Sequence, residues 1–353
     1  MLLNRLRHLD RRGDRGAVGA VVAVFFGFGV ALGVCALVLD IGLIAVARKQ
    51  LQTGADAAAV EVARTCATSA AACGGADSGD TAIAYAQENV PDGAATAVVC
   101  GRGEGLAECP PPAGAGACAQ PAPETGAYAE VHTSILRADG STLLPPVFAQ
   151  AVVDGFDGAA VTACARVTWG SPAAARALAL TVSTCDWQRM TDGGALPSAE
   201  QAIPLFADTD PAACGRAGAG AGDPGGFRWV AGADATCRTA TSAGAQLRVT
   251  DPTERPTACL PALESLVGEP GRPVAVPIFS AVSAAGDYTV RGIAAFVVTG
   301  WQLPDSAVPS PRITTCDDGV DFCVFGFFTR ALVPGGGTVG GPDLGAQITA
   351  LIG

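Results

Sequence analysis

Asp77-Ser78-Gly79-Asp80 has the composition of a serine nucleophile loop, and His132 with Asp139 would supply a base and an orienting carboxylate for acyl transfer. A triad is defined by geometry, however, and no sequence feature joins these segments. His132 falls in the alternating run Tyr128, Glu130, His132, Ser134, which reads as a strand, so Asp77 to Asp80 is expected to be exposed turn chemistry. His8 and His132 are the only histidines, which excludes three-histidine zinc centres and the HExxH helix. Asp317, Asp318 and Asp321 offer the hard oxygen ligands Ca²⁺ prefers, but the glycine and closing Glu of the 12-residue calcium loop are missing. A solvated acidic hairpin tip is expected there. Gly101-Arg102-Gly103-Glu104-Gly105 lacks the glycine spacing and strand-to-helix setting of a dinucleotide site. The sequence therefore predicts no enzyme, no cofactor and no metal centre.

Cysteine supplies the more informative chemistry. Of 13 cysteines, Cys35 lies inside a long apolar run and the other 12 follow it: Cys66, Cys73, Cys100, Cys109, Cys118, Cys164, Cys185, Cys214, Cys237, Cys259, Cys316 and Cys323. No CxxC pair occurs. An even set confined to one side of an apolar segment predicts up to six disulfides in an oxidising compartment. Spacing constrains one pair. Seven residues of unbroken helix would hold Cys66 and Cys73 about 10 Å apart, beyond disulfide reach, so either the helix stops before Cys73 or the two have other partners; the expectation is that it stops and they pair. Cys316 and Cys323 are expected to pair across a tight hairpin.

The element that separates Cys35 from the rest is a run of 23 uncharged residues, 17–39, followed by Asp40. As helix it measures about 34 Å against a hydrocarbon core of about 30 Å. One crossing fits. Five Arg upstream place the N-terminus in the cytoplasm by the positive-inside rule, with the remainder outside. The run exceeds the 7 to 15 residues of a signal peptide, so the anchor is expected to be kept despite the small residues Ala45-Val46-Ala47. Asp40 is expected at the far edge of the bilayer, reaching the headgroups. Gly29 and Gly33 form a GxxxG that permits close approach of another helix. The chain carries a net charge of −11 despite its basic start, and such an acidic body gives nucleic-acid binding no electrostatic footing.

Beyond the apolar run the pattern stays helical. Leu51, Ala55, Ala58, Ala59 and Val62 recur on one narrow face, a small-residue stripe suited to close packing, until Gly74-Gly75 ends the signal. The stripe fits the chain's own sheet, folded back on the helix, or a partner helix.

Arg15-Gly16-Ala17, the single span, Leu39-Asp40-Ile41-Gly42, and Gln50-Leu51-Gln52 followed by Ala55-Asp56-Ala57-Ala58-Ala59 resemble the N-terminal signature of the TadE/TadG-like family of Flp (tight adherence) pilus assembly. Gly16, Asp40, Gln52 and Asp56 carry the match. Tyr128 to Ser134, Pro145-Pro146-Val147-Phe148-Ala149 and Val161 to Val167 are similar to that family's strand, Phe-Ala segment and V-x-A-x-A strand. Prepilins of this broader type are cut after a Gly and carry Glu five residues later; here Val21 stands at that place. The resemblance therefore implies an unprocessed TadG-like accessory protein of actinobacterial type, with the bilayer and other pilus-assembly or envelope proteins as partners.

Hydrophobic residues make up 49% and charged residues 16%, which excludes wholesale disorder. Strands are expected at 94–99, 128–136, 160–168 and 178–183, then at 227–230, 246–249, 274–278, 288–301 and 322–332. Residues 100–125, rich in Pro, Gly and Cys, can hold no long element, and 215–226 reads as a flexible loop. Trp169, Trp187, Trp229 and Trp301 are expected in cores. The predicted organisation is α+β: a basic tail (1–16), a transmembrane helix (17–47), a stalk helix (48–75), an extracellular α+β domain (76–185) and a mostly β region (186–353). Function is expected in pilus assembly or anchoring, with a membrane-tethered binding module or adhesin as the alternative.

Overall fold

The computed structural model describes residues 14–74, 76–110, 118, 120–148, 155, 157–205, 225–251, 254–317 and 320–352. Its first element is α1, Asp14–Thr68, an unbroken helix of 55 residues with no proline, about 80 Å long. Its two ends meet different surroundings. Through Leu39 its large side chains are exposed, and mean hydropathy there reaches 2.7, long and apolar enough to cross a membrane. From Asp40 onward one stripe is buried by the protein itself: Asp40, Ala47, Leu51, Ala55, Ala58 and Val62, with Ile44 partly covered. These positions alternate three and four residues apart, the spacing of one helix face.

α1 stops at Thr68, whose hydroxyl donates to the carbonyls of Arg64 and Thr65 at 3.0 and 3.1 Å. A single turn at Ala70–Ala72 reverses the chain, bringing the Cα atoms of Cys66 and Cys73 to 4.2 Å in a disulfide. The expected early stop and pairing are both observed. α2, Ala76–Glu88, follows. The expected exposed turn at Asp77 to Asp80 is instead the first turn of this helix. Asp77 complements the positive helix start, and Ser78 is buried, donating to the Cys73 carbonyl at 2.8 Å. Ala82 and Ala86 form its inner face, and alanines carry little periodic contrast in the sequence.

The strands run β1 Ala95–Arg102, β2 Ala127–Ile135, β3 Leu143–Leu144, β4 Ala159–Ala160, β5 Thr162–Gly170, β6 Pro172–Leu178 and β7 Leu180–Ser183. Helix α3, Thr184–Thr191, comes next, then β8 Gln201–Pro204, β9 Phe227–Trp229, β10 Arg238–Ser242 and β11 Gln246–Leu247. Helix α4, Cys259–Gly268, precedes β12 Pro273–Val282, β13 Tyr288–Leu303, β14 Ser306–Val308, β15 Cys323–Thr329, β16 Ala331–Leu332, β17 Gly337–Val339 and β18 Ala346–Leu351. The fold is α+β with a mostly β body.

β1, β2, β5, β18 and β16 form a five-stranded sheet in that order, antiparallel except for the β18/β16 pair. α1 and α2 cover one face, and their alanines meet Ala129, Val131, Ala163, Ala165 and Val167 in a two-layer core. A second sheet runs β8, β15, β13, β12, β7, β9, with β11 and β14 also paired to β13. Its core holds Phe227, Phe279, Phe296, Phe328 and Trp301, with Trp187 of α3 and Leu263 of α4 packed against it. β10, β6 and β17 make a small third sheet, and a minor alanine-rich core joins it to β12, β13 and β18.

Two features cross the expected layout. β6 and β7 are separated only by Ala179, where the chain passes from the third sheet to the second, and β18 returns from the far region to pair with β5. α3 was invisible as a hydrophobic pattern because it is held by its cap: Ser183 accepts from the Asp186 amide at 2.9 Å and donates to the Asp186 carboxylate at 2.7 Å. All four Trp are buried.

Candidate functional site: the seam between the long helix and the first sheet

The residues of greatest chemical interest lie where α1 leaves its exposed half and enters the body. Asp40 sits one residue past the apolar run, yet its side chain is 5% exposed. Its carboxylate does not turn outward to the headgroup level as expected. It accepts hydrogen bonds from the backbone N–H of Val147 at 2.9 Å and of Phe148 at 3.1 Å. Carboxylate acceptors make such bonds roughly twice as strong as neutral ones. Pro145 and Pro146 carry no N–H, so the Pro-Pro-Val-Phe segment brings only two backbone donors, and Asp40 holds both.

Three turns further along, the Gln52 amide donates to Asp56 Oδ1 at 2.8 Å and to the Cys164 carbonyl of β5 at 3.0 Å. Between these clamps Thr133 of β2 donates to the Leu51 carbonyl at 3.0 Å. Leu51, Ala55, Ala58 and Val62 are fully buried against the sheet and α2. Gly54 shows why the stripe is small: a Cβ there would stand 3.0 Å from the Ala86 Cα, so α2 crosses at glycine. A Cβ added at Gly29 or Gly33, by contrast, would meet nothing within 4 Å, and Gly16 lies in the first turn of α1.

The outer face of the same sheet carries a polar cluster. Glu130 of β2 and Arg166 of β5 face each other in register, both buried, with Arg166 Nε donating to Glu130 Oε1 at 2.7 Å. Arg166 also donates to the Gln120 carbonyl, and His132 Nε2 lies 3.1 Å from Glu130 Oε2. The guanidiniums of Arg102 and Arg166 lie 5.2 and 5.8 Å from the Tyr128 ring centre, within cation–π range. Two disulfides, Cys100–Cys109 and Cys118–Cys164, flank Glu130 and tie Cys109 to β1 and Cys118 to β5. Their sulfurs cluster with Glu130 in the manner of metal ligands, but a sulfur in a disulfide is no thiolate, and Glu130 is already neutralised by Arg166. The cluster fastens a loop.

The remaining candidates are equally structural. Ser78, His132 and Asp139 serve the Cys73 carbonyl, Glu130 and the Ser141 amide respectively; the Ser141 amide is also the main reason the Asp139 carboxyl titrates below its ordinary range. Cys237–Cys259 ties the residue before β10 to the first residue of α4, and Cys316 pairs with Cys323 as expected, although Cys316 lies in no strand and the bridge joins a loop to the start of β15. Cys185 is disulfide-bonded, while Cys214 and Asp318 lie outside the described residues. Cys35 is a free, exposed thiol on the apolar half of α1. A 290 Å³ pocket between β10 and α4 contains Arg238 and Arg272. Arg272 is paired with Glu269, so the pocket is not a bare cation pair.

Sequence reasoning found Gln52 and Asp56 only through the resemblance, placed Asp40 at the bilayer edge, and did not find the partners of any of them. No periodicity could show that Val147 and Phe148 cap a carboxylate 107 residues away. No family model, no curated protein and no solved structure matches this chain.

Proposed function

We propose that this chain is a bitopic envelope protein of TadG-like type that assists assembly or anchoring of a Flp/Tad pilus. Its N-terminus lies in the cytoplasm, α1 crosses the cell membrane once, and the disulfide-bonded body stands outside. One observation carries the reading. The residues behind the resemblance bond to one another across the fold: Asp40 to the Pro-Pro-Val-Phe segment, and Gln52 to the V-x-A-x-A strand at Cys164. Three stretches that separately resemble the family in sequence thus form one physical unit, the joint between the apolar helix and the body. The role is non-enzymatic, resting on helix packing in the bilayer and protein contacts outside it.

Affinity capture of the tagged full chain from crosslinked membranes tests this. Recovery of a secretion ATPase or polytopic pilus-platform proteins is expected; capture that returns envelope proteins but none of these refutes the pilus role and leaves a tethered binding module.

A further inference from the structure

The apolar surface of α1 does not end where the span ends. Phe148 lines a 440 Å³ cleft together with Gly29, Leu32, Gly33, Ala36 and Leu39, so its ring lies alongside the exposed, apolar half of the helix. Ala36 is four residues before Asp40, about 6 Å deeper along the axis. On the body side a larger groove of 750 Å³ runs from Leu43, Val46 and Ala47 of α1 to Ile135, Leu136 and Leu144, with Val147 at its lip. Leu136, Leu143, Val147 and Phe148 are exposed large apolar side chains, unusual for the soluble face of a body but continuous here with Ile41, Leu43 and Val46. Arg137 is the one charged side chain lining this groove among the described residues.

We propose that the Pro145 to Phe148 segment is a second membrane anchor, with Val147 and Phe148 inserted in the lipid leaflet beside α1. The inference rests on the reading of α1 as a span. Irregular backbone enters hydrocarbon only if its polar groups are satisfied within the protein. This segment meets the condition on the donor side: two of its four residues have no N–H, and Asp40 takes the other two. That also gives a reason for a carboxylate at the end of an apolar helix. It is shielded from lipid by the loop it holds, and it makes the loop admissible to lipid.

Tryptophan quenching in nanodiscs of phosphatidylcholine and phosphatidylglycerol separates this proposal from the one beneath it. The four native Trp are buried in the body and give a quiet background. Full-length Phe148→Trp and, as an independent reporter, Val147→Trp should lose emission to lipids brominated high on the acyl chain. Phe26→Trp, in mid-span, should lose it to lipids brominated near the chain end. Quenching of Phe26→Trp with neither loop variant quenched beyond wild type overturns the second anchor and leaves the span intact. Failure of all three overturns the span, and the proposal with it.

Discussion

Replacing Asp40 with Ala removes the acceptor for two part-buried amides, those of Val147 and Phe148, while leaving helix propensity slightly improved. A hydrogen bond contributes about 0.5 to 1.5 kcal/mol net, so docking of the loop on α1 should weaken by about 1 to 3 kcal/mol. Even the lower figure is about a 5-fold rise in the opening constant, at 1.4 kcal/mol per factor of ten. Asp40→Asn keeps one acceptor oxygen and should fall between Ala and wild type. Hydrogen exchange followed by mass spectrometry, on the full chain in nanodiscs, reads the effect directly in the peptide containing Val147 and Phe148. Protection there should drop, while β2 and β5, held by their own ladder and by Gln52, keep theirs. Unchanged exchange at Val147 and Phe148 in Asp40→Ala would refute the role given to Asp40.

The other expectations are of different kinds. Ala58→Trp should overpack the helix–sheet core, where Ala58 is fully buried, and lower stability in denaturant by about 1 to 3 kcal/mol or more; an unchanged midpoint contradicts the packing. Glu130→Ala leaves Arg166 buried without its carboxylate and should cost about 3 to 5 kcal/mol by the same measurement. On the chain-entropy account the Cys118–Cys164 bridge, spanning 46 residues, contributes about 4 kcal/mol and Cys316–Cys323, spanning 7, about 2.4 kcal/mol. Paired serine replacements should therefore rank in that order in thermal unfolding. Asp234 is held to about 2, chiefly by the Thr236 hydroxyl and then by the Arg238 amide. A depressed carboxylate supplies stability above its unfolded value and loses it as pH falls through the folded one. Asp234→Asn should therefore flatten the acid limb between about pH 4 and pH 2 in a denaturation series. Impermeant thiol labelling of Leu2→Cys and Ser198→Cys on intact cells should mark only the second.

How far the sequence reached depends on which force shapes each element. α1 was legible over most of its length, since 23 apolar residues and a stripe at Leu51, Ala55, Ala58 and Val62 are both hydrophobic patterns, although it begins at Asp14 inside the expected basic tail and ends at Thr68, short of the expected stalk limit at residue 75. β13 was legible for the same reason, being buried on both faces at the centre of its sheet. For Cys66 and Cys73 helix geometry reduced the choice to an early stop or other partners, and the pair forms after an early stop. What escaped were elements fixed by small residues and polar contacts. α2 hides its inner face in Ala82 and Ala86, and α3 depends on a Ser183 cap. The seam at Asp40 escaped most completely. A carboxylate beside an apolar run carries the same local signal whether it faces lipid headgroups or two amides more than a hundred residues on.

The position of β18 has a consequence for the order in which the molecule can be made. β18 supplies the neighbour that β5 needs, Leu351 opposite Val167, and nearly all of the second sheet lies between them in the chain. Until β18 has been made, the layer against α1 ends in an open strand edge, with unpaired amides that invite pairing with other chains. Such long-range closure is also slow, because the loop entropy is lost before the contact forms. The layer packed on α1 is synthesised first and completed last. Vectorial synthesis thus leaves it as a clasp that only the far segment can shut, and a chain cut short before β18 would keep that clasp open.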